Sequence, residues 1–437
     1  MKFEETQLTS DEKGHCLYNT QCFSPDNQWI VYDTRHHDTL ISHTGTIEMV
    51  NVATGEMKKI YETSNQTQYG PGVGAATFSP VADQVLFIHG IRNANQERPY
   101  SMTRRTGVAV NIAQPLKPIF MDARDVTEPF TAGALRGGTH AHTWSGDGQW
   151  ISFTYNDEVI EQLDKSKYDI RDMRTVGVMM PAGPVQVEDD SRLENNSGEL
   201  FSVVAAQVTD QPAWGSDEID KAYDEGWIGT EGYRKQDLSW QKRAIAFQGD
   251  LKDSLGNTHT EIFVLDLPED PSQARADKKP LEGTATTPPN VPDGVAQRRI
   301  TFTSKGIIGP RHWLRTTSEG TMIGFLSEDT QGVIQIFGVS LNGGEVKPLT
   351  ANPFSVQGSF NFSPNSRYLA YPADNSIFIT DLETGKSDRI TARFTDEDAP
   401  VGGVVWSNDG RMLAYNRYVK SNEGRYLQIF LLKDQAK

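Results

Sequence analysis

The chain has 437 residues, 37% of them hydrophobic, with 8 Trp, 19 Phe and 14 Tyr spread along it, enough for a large packed core. Asp and Glu outnumber Lys and Arg by 58 to 42, and the net charge of −16 argues against a nucleic-acid or anionic-membrane surface, both of which need a positive face. An anionic ligand would need a local cationic pocket set against that field.

The N-terminal MKFEETQLTSDEK has no apolar run after its Lys, and nowhere do about 18 apolar residues follow one another. The expectation is a cytoplasmic chain with no signal peptide and no membrane span. On one extended strand Cys16 and Cys22 would sit ~20 Å apart, beyond the ~7 Å Cα limit for a disulfide, so both read as free thiols.

One pattern then recurs: an aromatic, a small hydroxyl residue, a turn rich in Pro, Asp, Asn or Gly, and alternating apolar residues. It reads FSPDNQWIVY from Phe23, FSPVADQVLF from Phe78, WSGDGQWISF from Trp144, RTTSEGTMIGFL from Arg315, FSPNSRYLAY from Phe362 and WSNDGRMLAY from Trp406. Each copy predicts a strand, a tight turn and a second strand. A third strand, a turn such as TDLETGK and a fourth strand ending in K-P-L-T or D-R-I-T follow most copies. Four antiparallel strands repeated every 40 to 65 residues or so predict a β-propeller built as one all-β domain over residues 1–437. ELFSVVAAQV, RAIAFQGDL and EIFVLDLPED supply a degenerate blade in the long interval after Ser145, making seven blades, with eight the alternative. Gln7-Leu8-Thr9 repeats the blade-ending pattern before the first blade begins, so the N-terminal strand is expected to complete the last blade and close the ring.

Two segments depart from the repeat. GSDEIDKAYDEGWIG has helical spacing and an acidic face, and reads as a short helix inserted over residues 215–229. ADKKPLEGTATTPPNVPDG, residues 276–294, is rich in Pro and Thr and reads as an irregular loop. Either could lie over the channel or simply on the surface.

Aligned on the hydroxyl residue, the position five before it shows Asn19, Gly74, His140, His312, Gly358 and Gly402 on the expected innermost strands. Glycine there leaves room for an approaching group. His140 and His142 form an i, i+2 pair, which on a regular strand places both imidazoles on one side as a half-site for a divalent transition metal. His15, His312, Gln21 or Asn19 could complete it. The alternatives are hydrogen bonding to inner-strand backbone or a site for a polar ligand. His36, His37, His43, His89 and His259 read as solvated. Arg136 and Arg311 lie close in sequence to His140 and His312 and could pair with a carboxylate at one mouth, or with Asp122, Asp125 or Glu128. No nucleophile elbow, phosphate loop, dinucleotide fingerprint or H-E-x-x-H motif is present.

At LRGGTHAHTWSGDGQWISFTYND, GSDEIDKAYDEGWIG, VAQRRITFT and PRHWLR the chain resembles the YidR-like proteins, a bacterial family without an assigned function, nearly end to end. The blades more distantly resemble TolB-type propellers and the oligogalacturonate lyases. In those lyases a T-H-x-H strand, a Gln and a His from the preceding blade hold manganese. Thr139-His140-Ala141-His142 matches that strand, while Gly137 stands at the Gln position and the preceding blade has Gly72 and Gly74. His15 is similar to a first-blade His of the lyases. The resemblance implies a metal-dependent lyase acting on a short uronate-containing saccharide. His140 and His142 would hold the metal, His312 or His15 would be the base, and Arg136 or Arg311 would bind the carboxylate. The rival expectation is a non-catalytic TolB-like propeller that binds a protein or sugar partner.

Overall fold

The repeated hydroxyl residue staples the turn of its hairpin. Ser24 Oγ donates to Asp26 Oδ1 (2.6 Å) and accepts from the Trp29 amide (3.0 Å). Ser145, Ser363 and Ser407 do the same with Asp147, Asn365 and Asp409. Three residues after the hydroxyl the backbone turns left-handed, at Asn27, Gly148, Gly320, Ser366 and Gly410, where Gly and Asn carry the least steric cost. The repeat is thus a code for one tight turn.

The computed structural model describes residues 2–37, 39–188, 192–277 and 279–435. Seven antiparallel sheets of three or four strands follow in chain order, each built outward from its inner edge. Blade 1 pairs Trp29–Asp33, Thr46–Asn51 and Met57–Glu62, and its inner edge touches only at the bridges Cys16–Asp33 and Phe23–Ile30. Blade 2 is Val73–Phe78, Gln84–Gly90, Arg105–Asn111 and Ile119–Phe120. Blade 3 is Gly137–Trp144, Ile151–Asp157, Thr175–Met180 and Phe201–Val204, and blade 4 is Ile219–Trp227, Ala244–Lys252, Thr258–Asp266 and Ala296–Arg299. Blade 5 begins with Arg315–Thr316 and blade 6 with Asn361–Phe362. In blade 7, Pro400–Trp406, Met412–Lys420 and Arg425–Asp434 are completed by Phe3–Gln7, whose register runs from Phe3 opposite Asp434 to Gln7 opposite Phe430. The expected closure is present.

Middle strands such as Gln84–Gly90 are buried on both faces, because each blade packs against two neighbours. The core therefore lies between blades. Ala244, Ala246, Ile262 and Val264 of blade 4 meet Leu314, Ile323 and Phe325 of blade 5, and Ala370, Ile377 and Ile379 of blade 6 meet Trp406, Leu413 and Tyr415 of blade 7.

The expected helix at 215–229 is instead the innermost strand of blade 4. Register breaks between Ile219 and Lys221 and between Tyr223 and Gly226 interrupt the two-residue alternation. They leave Ile219 and Ala222 buried three residues apart, which imitates helical spacing. The segment ELFSVVAAQV is the outer strand of blade 3, not part of blade 4. The 276–294 segment has no named helix or strand, and its position 278 lies outside the described residues. It lines a cavity of about 370 Å³ beside blades 3 and 4, away from the axis. Cys16 and Cys22 are buried and form no disulfide among the described residues, and among the described residues no helix is long and apolar enough to cross a membrane.

Candidate functional site

A bulge recurs on the innermost strands. In blades 2, 3 and 4 the register slips by one residue, between Gly74 and Thr77, His140 and Thr143, and Tyr223 and Gly226. A left-handed Ala75, Ala141 or Asp224 sits inside each slip, and blade 7 slips by two residues between Val401 and Val405, with a left-handed Gly402 inside. Bulges re-aim side chains, and here they point residues toward the axis at one end of the ring.

There a cavity of about 560 Å³ opens, lined by residues of blades 1, 2, 3, 6 and 7 and of the loop entering blade 5. Its described lining includes Arg35, Arg105 and Arg311 and no Asp or Glu. In a chain of net charge −16 this is a sharp local reversal. Arg35 is paired with Asp33 (2.6 and 2.9 Å), and Gly74 leaves the space for that pair, since a Cβ there would lie 3.1 Å from Arg35 Nε. Arg311 is paired with Asp224 (3.2 Å) and lies over the Trp313 ring. Arg105 is different. It is nearly buried, donates from Nε to the Ser101 carbonyl (3.0 Å) and rests 4.7 Å from the centre of the Tyr100 ring. No described carboxylate pairs with it. A buried cation without a counter-charge is costly, and is retained where a ligand supplies the charge.

Polar atoms without a protein partner gather on the same cavity: Tyr18 Oη, Tyr100 Oη, Trp313 Nε1, and both ring nitrogens of His140. Burial, and then the fields of Arg105, Arg174, His142 and Arg311, hold His140 well below its ordinary pKa, so it is neutral. Burial pushes the Tyr18 hydroxyl up, so it keeps its proton. Beside this cluster, burial raises Glu225 to about 7, with Oε2 accepting from Thr154 (2.7 Å) and Oε1 without a partner.

Of the residues singled out from sequence, His140, Arg311, Asn19, Gly358 and Gly402 line the cavity, His37, read as solvated, lines it too, and the remaining candidates lie elsewhere. His142 is turned into the seam between blades 2 and 3. Thr139 spends its hydroxyl proton on Asp122 Oδ2 (2.8 Å), so His142 Nε2 donates to Thr139 Oγ1 (3.0 Å), against Gly107. His312 Nδ1 donates to the Pro310 carbonyl (2.9 Å) and Nε2 accepts from the Leu326 amide (2.9 Å), so its ring is spent on backbone. His15 is fully buried, with Nδ1 on the Leu427 carbonyl (3.1 Å) and Nε2 2.7 Å from Asp11 Oδ1. Arg136 faces away from the axis, paired with Asp157 (3.0 Å) and held by the Thr284 and Thr287 carbonyls of the 276–294 segment. Asn19 tethers Arg315 and Asn361, and Gln21 bridges blade 1 to the Trp144 backbone. His89, read as solvated, is buried against Tyr61.

Sequence reasoning missed Arg105, Tyr18, Tyr100 and Trp313. One signal was available for the first. The pair Arg104-Arg105 opens an otherwise apolar strand, and alternation sends the two to opposite faces. Arg104 finds Glu194 (2.8 Å), leaving Arg105 facing the axis.

Fold and site together define a seven-bladed β-propeller with one cationic, aromatic-lined cavity at its axis. A family model described as "Protein of unknown function (DUF3748)" matches residues 72–195. Over 416 residues the chain is 38% identical to the "Uncharacterized protein YidR" of Escherichia coli (strain K12), with 94% of each chain covered, and it belongs to that protein's family. Among solved structures it is similar in fold to an oligogalacturonate lyase in complex with manganese, with a TM-score of 0.54 and 10% identity over 98% of this chain and 92% of the other. It is also similar to the oligogalacturonate lyase of Vibrio parahaemolyticus, with a TM-score of 0.55 and 10% identity over 99% and 97%.

The manganese belongs to that neighbour, and the cavity here can be tested for its fit. A transition-metal site needs three or more converging donors. Among the described residues no group of three or more His, Cys, Asp or Glu is placed to hold an ion. Two imidazoles, His37 and His140, line the cavity together with the guanidinium groups of Arg35, Arg105 and Arg311 and no described carboxylate. The residues present do not fit a divalent cation.

Proposed function

We propose that the central cavity binds a small anionic saccharide of the uronate class and serves a lyase reaction on it. The observation that carries this reading is Arg105, a cavity-lining guanidinium with no described carboxylate partner. Arg105 would take the sugar carboxylate, the faces of Tyr18, Tyr100 and Trp313 would pack on the ring, and the unpartnered hydroxyl, indole and imidazole atoms would bind its hydroxyls. A cavity of about 560 Å³ is within the ordinary range for a ligand of this size.

In β-elimination the proton on the carbon next to the carboxylate passes to a base. The C–H electron pair becomes the new double bond, and the bond to the glycosidic oxygen breaks. That oxygen leaves with the pair and takes up a proton. His140, neutral and facing the cavity, is the base this geometry offers, and a tyrosine hydroxyl is the proton donor. Burial is the main cause that keeps His140 neutral, and a carboxylate on Arg105 would offset only that cation's share of the remaining field, so ligand binding would assist the base in part.

That same field favours a second reading, a binding propeller that holds a sugar or protein partner without reaction, since an imidazole among guanidinium groups is a weak base. Incubation with short oligogalacturonides, followed by ultraviolet absorbance of the conjugated product, decides between them. Product formation that is lost in both Arg105→Met and His140→Ala upholds the lyase. Saturable binding without product leaves the binding propeller.

A further inference from the structure

We infer that Arg105, and not a divalent cation, neutralises the ligand's negative charge in the central cavity, which excludes such ions. The inference rests on the reading that the cavity takes a carboxylated ligand, and it goes further in naming the device. Each residue that could have completed a metal site is committed elsewhere. The left-handed Ala141 removes His142 from the axis, His312 and His15 are held by backbone carbonyls and amides, and Gln21 and Asn19 tie blades together. What faces the cavity instead is a guanidinium whose Nε is fixed on Ser101 and whose plane is steadied by Tyr100. Its Nη1 makes no hydrogen bond to a described residue, so part of its donor fork is available to a carboxylate. A cation entering would meet Arg35, Arg105 and Arg311, with two imidazoles, His37 and His140, and no described carboxylate on the lining to bind it. An anion would meet the same three groups with Arg105 uncompensated.

The test uses the full chain, stripped with a chelator and checked by elemental analysis. Titration with Mn²⁺ followed by electron paramagnetic resonance should leave the free-ion signal unchanged. Calorimetry should give the same digalacturonate affinity with and without added Mn²⁺. Arg105→Met should weaken it by about tenfold or more, Arg105→Lys by less, and the matched neutral disaccharide should not respond to either change. Melting curves of the two variants confirm that both fold. Stoichiometric Mn²⁺ that disappears in His140→Ala, or digalacturonate binding that requires Mn²⁺, would overturn the inference. If digalacturonate binds in no arm, the saccharide reading fails, and citrate replaces it as the anion probe. Citrate binding that Arg105→Met removes upholds the assignment of Arg105. Citrate bound equally by wild type and variant, or by neither, overturns it.

Discussion

His140 and His142 lie two residues apart on one strand and face different compartments, because Ala141 between them is left-handed and slips the register. The first lines the central cavity, and the second is packed against Thr139 and Gly107. Substitution should separate the two roles. His140→Ala should cost at most about 1 kcal/mol of stability and weaken ligand binding, though by less than Arg105→Met does. His142→Ala should cost about 2–4 kcal/mol through the cavity it leaves, with ligand affinity kept. Denaturant melts and calorimetry on the same samples check both, and a pair that behaves alike would contradict the split.

His312 should prove to be an acid-sensitive structural residue. Burial lowers it to about 4, and His142 to about 3. An unfolded histidine titrates near 6.5, so between that value and the folded one the unfolded chain binds the extra proton. The stabilisation is complete above about pH 6.5 and is lost as the pH falls toward 4, at about 1.4 kcal/mol per pH unit for each proton. The raised Asp172, at about 6, acts in the opposite direction, so the clean readout is a difference between proteins. His312→Gln should unfold with about one proton less uptake near pH 5 than the wild type, measured from the pH dependence of the unfolding free energy.

Glu225 should show the reverse sign. Burial raises its carboxyl from 4.5 to about 7, so the folded chain holds the proton more tightly than the unfolded one. Its contribution is present below about pH 4.5 and is lost as the pH rises through 7, amounting to about 3 kcal/mol in full. Glu225→Gln keeps the shape without the ionisation. Its stability should match the wild type near pH 5 and exceed it above pH 8, and a gap that does not widen with pH would contradict the assignment.

The ring was legible in the sequence because one turn is written again and again: in four of the six repeats Ser24, Ser145, Ser363 and Ser407 each bind the residue two positions on. The site was legible only in part. Strand alternation predicted that His140 and His142 share a face, and the bulge at Ala141 cancels that. The same device at Asp224 made a strand resemble a helix. A bulge leaves no fixed residue type behind, since Ala75, Ala141, Asp224 and Gly402 all occupy it, so a reading by period alone puts every later side chain of that strand on the wrong face. Arg105 lies on the third strand of its blade and reaches the axis through the length of its side chain, which no pattern of the innermost strands records.

The N-terminal strand should act as a removable closure whose place in the ring matters more than its place in the chain. Phe3–Gln7 pairs along Arg425–Asp434, Glu5 accepts from the Tyr415 hydroxyl, and the Leu8 amide donates to Ile429 (2.8 Å). Deleting residues 1–8 leaves the Arg425–Asp434 strand as an open edge able to pair with another chain, so the truncated protein should melt lower and aggregate on heating. The first and last described residues are already adjacent, since the Gln435 amide donates to the Lys2 carbonyl (2.8 Å). A short linker can therefore join them, and the chain can be reopened between Thr384 and Gly385, where a Cβ on Gly385 would meet nothing within 4 Å. The new N-terminus then leads with Lys386–Arg389, the outermost strand of blade 6. That strand would close its blade as Phe3–Gln7 closes blade 7. This permutant should keep the wild-type circular dichroism and melt within about 5 °C of it, because it breaks no strand pairing and opens the chain at an exposed turn. Collapse of the permutant with retention of stability in the truncated protein would reverse the argument, placing the stability of the ring in the order of the chain and not in the pairing of its last blade.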